Sequence, residues 1–162
     1  MADDRKAMEI LQANVEALAG TERNERFGMA GLPAVLSRCI RAWSQSEMGE
    51  FPAAIAEAGE ALEIAEASGH VFSILTASFV IAVVRLARGD LAEAIRVLEQ
   101  GLALSRADRM RIWFPAFAIL LASSLALQVR AATAVPIAQP ALAVPPDPTT
   151  PTPLATDGSR GV

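Results

Sequence analysis

The sequence predicts an all-α fold made of one helix-turn-helix unit repeated every 40 residues. Three observations lead there. Composition comes first: 52% of the 162 residues are apolar, alanine dominates, tyrosine is absent, and runs of Val, Ile and Thr are scarce. Such a composition favours helices packed closely on small side chains over sheets. The second observation is self-similarity. At a shift of 40, GEFPAAI (49–55), GDLAEAI (89–95) and VRAATAV (129–135) share one phase, as do EALEIA (60–65), QGLALS (100–105) and PALAVP (140–145). The third is a small residue held in register: Ala42, Ala82 and Ala122 upstream of the breaks, and Ala54, Ala94 and Ala134 downstream. Two helices approach closely only where the side chains between them are small.

Taken in order, 2–20 reads as the second helix of a partial unit, with Ala7 in the matching place, and TERNERFGMAG (21–31) as the loop behind it. Full units follow at about 32–70 and 72–110, and a decayed one at 112–135. Their first helices are LPAVLSRCIRAWSQSEM (32–48), FSILTASFVIAVVRLAR (72–88) and IWFPAFAILLASSLALQ (112–128). In the second helix of the middle unit, Leu91, Ala94, Ile95, Leu98 and Leu102 form an apolar stripe, with Glu93, Arg96 and Glu99 facing out. Asp90 is placed to cap that helix, and Glu93 to complete a capping box. Gly89 permits the turn before it. Pro33, Pro52 and Pro115 sit at expected helix starts, where a missing amide hydrogen costs little. The third unit loses its turn to Val129-Arg130, and its second helix is interrupted by Pro136 and Pro140. From 136 to 162 the chain holds seven of its ten prolines, which predicts a disordered, partly polyproline-like tail.

Paired helices with small residues in fixed phase and a Gly-Asp or Gly-Glu break resemble tetratricopeptide repeats in a longer, forty-residue form, over about residues 2–135. RFGMAGLPAVLSR (26–38) together with WFPAFA (113–118) is similar to the arrays at the C-terminal end of bacterial adenylate or guanylate cyclase–ATPase proteins and of MalT-like regulators. Arg38, Ser78 and Ala118 stand where the family usually places an aromatic or large apolar residue. The resemblance implies a right-handed α-solenoid and a non-catalytic protein-interaction scaffold, detached or truncated from a bacterial signalling or transcription-regulatory protein. It further implies a concave groove containing Cys39, Trp43, Phe79, Val83, Ile119 and Ser123. An apolar helix or peptide suits such a groove.

Chemistry finds little to build on. The formal charge of −4 and the scatter of the fourteen basic residues, all Arg except Lys6, argue against a nucleic-acid face. His70 is the only histidine and lies in a loop without ligand-type neighbours. Cys39 is the only cysteine, so no disulfide framework exists, and its apolar surroundings predict an inert thiol. Glu57, Glu60, Glu63 and Glu66 read as an exposed polar row, and the arginines of SRADRMR (105–111) as a solvated loop. No phosphate loop occurs. The expectation is a protein with no enzymatic activity, cofactor or metal. The charged start MADDRKAMEI predicts no signal peptide and a cytoplasmic location. A decayed third unit leaves its first helix uncovered, so Trp113, Phe117, Leu120 and Leu121 are expected as an exposed end that binds a protein partner or a second copy. The alternative is a small membrane-associated protein that uses 71–88 and 112–129 as an apolar hairpin.

Overall fold

The computed structural model describes residues 2–142. It contains six α-helices and one short 3-10 turn, with no strand among the described residues: α1 (Ala2–Ala17), the turn Gly20–Asn24, α2 (Pro33–Glu47), α3 (Phe51–Ser68), α4 (Val71–Arg88), α5 (Leu91–Ala107) and α6 (Phe114–Leu142). The chain divides into two compact units, Met1–Gln128 and Val129–Val162. The first holds α1 to α5 and the start of α6. The described part of the second is the remainder of α6 as far as Leu142.

Local chemistry accounts for the helix ends. Pro33 and Pro52 occupy the first turns of α2 and α3. Gly69 and Gly89 close α3 and α4 in the left-handed region, at φ 66° and 93°, where a side chain would be strained. Asp90 stands at the cap position of α5, but its carboxylate caps no amide. It instead accepts from Arg85 Nη1 at 3.1 Å and pairs with Arg88 Nε at 3.3 Å. Glu93 likewise pairs with Arg96 rather than completing a capping box. Two arginines in the last turn of α4 thus hold the Asp90 carboxylate as an ion-pair partner instead.

Packing in the first unit follows the 40-residue register. Val35, Cys39 and Ala42 of α2 meet Ala54, Ala58 and Ala61 of α3, together with Ala77, Val80 and Val84 of α4. One register later, Leu75, Phe79 and Ala82 of α4 meet Leu98 of α5 and Phe117, Leu120 and Leu121 of α6. Ala42, Ala82, Ala54 and Ala94 are all fully buried, as their small size at a crossing requires. Each first helix therefore carries two rows. An onward row faces the next first helix, and a back row faces the preceding one.

The C-terminal end departs from the expectation in two ways. α6 runs without a break past Val129-Arg130 and through Pro136 and Pro140 to Leu142, where a turn and then a disordered tail are expected. The segment between is rich in alanine, the strongest helix former, and nothing in it supplies the Gly that ends α3 and α4. The remaining tail, 143–162, lies outside the described residues. In addition, Trp113, Phe117, Leu120 and Leu121 do not form an exposed end. Phe117 is fully buried and the other three pack against the same cluster. They belong to the back row of α6 and its flank, which α4 and α5 cover.

Candidate functional site

The predicted groove residues do not share one surface. Cys39 is 2% exposed inside the α2–α3–α4 core, and burial, followed by the nearby Glu57 charge, pushes its thiol up to about 12. Phe79 lies beneath α6, its ring centroid 5.7 Å from both Trp113 and Phe117. Val83 is half-buried, Trp43 is exposed at the α1 end, and Ile119 and Ser123 are exposed on the outer side of α6. The reason lies in the register itself. Cys39, Phe79 and Ile119 are 40 apart and occupy the onward row, so each is covered wherever another first helix follows. Only Ile119, on the last one, remains 68% exposed.

That exposed row is the most distinctive surface of the first unit. Pro115, Ile119 and Ala122 of α6 correspond to Val35, Cys39 and Ala42 of α2 and to Leu75, Phe79 and Ala82 of α4. The α2 and α4 sets are buried or half-buried, while all three α6 residues are exposed. No charged residue lies between Ile112 and Gln128. An uncharged apolar face of this kind has nothing to gain from solvent.

At the opposite end, α2 shows a second apolar stripe, Leu36, Ile40 and Trp43, spaced four and three apart and each more than a third exposed. This spacing sets them on one helix face. Ile40 belongs to the back row, and its counterpart Val80, one register later, is only 6% exposed. A third apolar feature is a cleft of about 290 Å³ lined by Met29, Leu32, Leu36, Phe72, Thr76 and Trp113. Trp113 Nε1 is buried and has no hydrogen-bond partner.

Charged groups mostly brace the scaffold. Glu57, read from the sequence as part of an exposed row, is 6% exposed. Its Oε1 takes Arg38 Nη1 at 2.8 Å, and its other oxygen pairs with Arg41 Nη2. Arg41 Nη1 also reaches Gln12 Oε1 of α1. Three helices thus converge on one carboxylate, and its burial is tolerable because two guanidinium groups face it. His70 is no free loop residue either. As the cap of α4, its Nδ1 accepts from the Ser73 amide at 3.3 Å, and Ser73 Oγ lies 2.9 Å away. The same Oγ accepts from Leu32 N at 2.9 Å, tying the start of α2 to that of α4. Desolvation, then the Arg26 charge, lowers the pKa of His70. In the predicted arginine loop, Arg106 stacks over the Phe114 ring at 5.1 Å.

Among the described residues, no group of three or more His, Cys, Asp and Glu side chains could hold a metal ion. Two helical stretches, Val71–Arg88 and Phe114–Thr133, are long and apolar enough to cross a membrane by length and composition. Comparison with known proteins returns no match: no family model, no curated protein and no solved structure aligns with the chain.

Proposed function

We propose that the chain is a non-catalytic protein-interaction scaffold, a tetratricopeptide-like array of stacked helix pairs whose uncovered last helix receives a protein partner. One observation carries this reading: the onward row of α6 is exposed, whereas the same row is buried or half-buried in α2 and α4. A helix face with the composition of an interior and the accessibility of a surface is the common form of a partner site. The absence of charge from Ile112 to Gln128 favours an apolar partner surface over an acidic or basic one. A cytoplasmic place in a bacterial regulatory system is part of the same proposal, and its support is the sequence resemblance.

A membrane reading draws on one specific observation, the apolar lengths of α4 and the first part of α6. Against it, α4 is covered by α2 and α3 on one side and by α5 and α6 on the other. A photo-crosslinking amino acid at Ile119, activated in the cell of origin, separates the two. The scaffold reading expects discrete protein adducts and recovery in the soluble fraction without detergent. Carbonate-resistant pelleting with lipid adducts alone would sink it.

A further inference from the structure

We infer that the vacant partner place is filled by a second copy of this chain, bound head to tail, with α6 of one copy lying in the groove between α1 and α2 of the next. The inference rests on the scaffold reading and names its partner.

The internal packing supplies the template. On its onward side, each of α2 and α4 lies against two elements, its own second helix and the next first helix. For α2 these are α3 and α4. For α4 they are α5 and α6. The two ends of the first unit each hold half of that arrangement. At the N-terminal end, α1 packs against α2, so a second helix and the next first helix are present with no first helix between them. The space between them is an apolar groove lined by Leu11, Leu18, Pro33, Leu36 and Ile40. It continues along Ala7, Met8, Trp43 and Met48. The back row of α2, Ser37, Ile40 and Ser44, lines this groove. The same row of α4, Ala77, Val80 and Val84, is buried under α2 and α3. Ile40 is 46% exposed for want of such a cover.

At the other end the deficit is inverted. α6 is a first helix whose onward row, Pro115, Ile119 and Ala122, meets neither a second helix nor another first helix among the described residues. One end is a place without a helix, and the other is a helix without a place. The charges agree with this pairing. Residues 112–128 carry none, and the groove holds a single charged side chain, Glu47, among otherwise apolar or uncharged walls, while Glu9, Glu16 and Arg41 line another cleft along the α1–α2 contact. No like charge is forced together, because the helix that enters brings no charge of its own. The interface is heterologous, because each copy offers one α6 and one groove, so association extends into chains unless it closes into a ring.

The test is sedimentation equilibrium on the full-length protein with two substitutions at exposed positions, Ile40→Glu in the groove and Ile119→Glu on α6. Far-UV circular dichroism checks that each variant keeps its helix content. Between about 1 and 100 µM, the unaltered chain gains mass past twice that of the protomer, whereas each variant alone remains a protomer. An equimolar mixture of the two variants pairs one intact groove with one intact α6, so it reaches twice the protomer mass and stops there. A wild-type chain that stays monomeric overturns the inference, as does Ile40→Glu protein that still dimerises through α6 alone. So does a gain of mass that occurs only on phosphatidylcholine vesicles. If the purified chain is monomeric while crosslinks from Ile119 in cells still reach a different protein, the second-copy inference fails and the scaffold reading stands.

Discussion

The Phe117 ring lies against the backbone of Gly101, so close that a Cβ built on Gly101 would fall 2.7 Å from Phe117 Cδ1 and nearer still to Cε1 and Cζ. The absent side chain on α5 is the notch that lets α6 dock, and it lets Phe117 reach full burial beside Leu75, Ala82 and Leu98.

Gly101→Ala therefore sets two effects against each other. Alanine gains roughly 0.5–1 kcal/mol of helix propensity over glycine, and overpacking against a rigid ring costs about 1–3 kcal/mol. The clash wins, because the atoms it meets belong to a flat, enclosed ring that has no free end to swing aside. Urea denaturation is expected to show a net loss of roughly 1–2 kcal/mol, with altered fluorescence from Trp113, whose ring centroid is 6.1 Å from that of Phe117. Gly59 in α3 is the control: its added Cβ would meet nothing within 4 Å, so Gly59→Ala is expected to stabilise by about 0.5–1 kcal/mol.

Removing the carboxylate at 57 should weaken the fold more than any other single charge change. Glu57→Ala strands Arg41 and leaves Arg38 only its longer contact with Glu60 at 3.4 Å, both arginine side chains being mostly covered, and leaving such charges poorly compensated costs about 3 kcal/mol. Glu93→Ala removes an open pair with Arg96 and should cost less than about 0.5 kcal/mol. Equal losses for the two variants would mean that the Arg38–Glu57–Arg41 cluster contributes no more than a surface pair.

His70 introduces a pH dependence with a definite sign. Its pKa in the folded chain lies below the ordinary 6.5, so the unfolded chain takes up the proton first as pH falls. The stabilising contribution is complete above about 6.5 and declines as pH drops from there toward the lowered folded value. The structure agrees, since Nδ1 must keep its lone pair to accept from Ser73. His70→Ala should lose about 1 kcal/mol at pH 8 and flatten the acid limb that begins below about pH 6.5. Parallel urea-midpoint curves for the two proteins across that range would rule the assignment out.

Cys39 offers a kinetic readout. A thiol held at about 12 by burial, with Glu57 adding to the shift, presents almost no thiolate at pH 8 and no path for a reagent. Labelling with a thiol-specific disulfide reagent should be at least about a hundredfold slower in the native protein than in 6 M guanidinium, because it waits for opening of the core. Rapid native labelling would show the α2–α4 contact to be loose.

Much of this was legible in the sequence, and what was not has a common cause. The 40-residue period placed α2 to α5 within a residue or two, and the alanine register marked crossing points that are fully buried. Repetition and small side chains are local facts, visible along one strip of chain. Glu57 reads as solvated because its spacing with Glu60 and Glu63 looks like an exposed row, and only the packing of α2 onto α3 brings two arginines over it. His70 reads as a loop residue in the sequence because capping by an imidazole depends on a ring orientation that no spacing encodes. Of the six residues expected in one groove, Cys39 and Phe79 are covered while Trp43, Ile119 and Ser123 are exposed, since a stacking face and a binding face share one periodicity. The continuation of α6 through Pro136 and Pro140 runs against the local rule, with Ile137, Ala138 and Gln139 separating the two rings.

The alanines at the helix crossings have a thermal consequence. A contact made of methyl groups brings backbones close together but removes less hydrocarbon from water than leucine or phenylalanine would. Ala54, Ala58, Ala61 and Ala65 supply most of the α3 side of the first core cluster. When that cluster opens, the newly wetted apolar area is small, so the heat-capacity increment should fall below the usual ~12–15 cal/mol/K per residue. The stability curve is then broad and shallow, and the protein should resist cold denaturation better than its modest core would suggest.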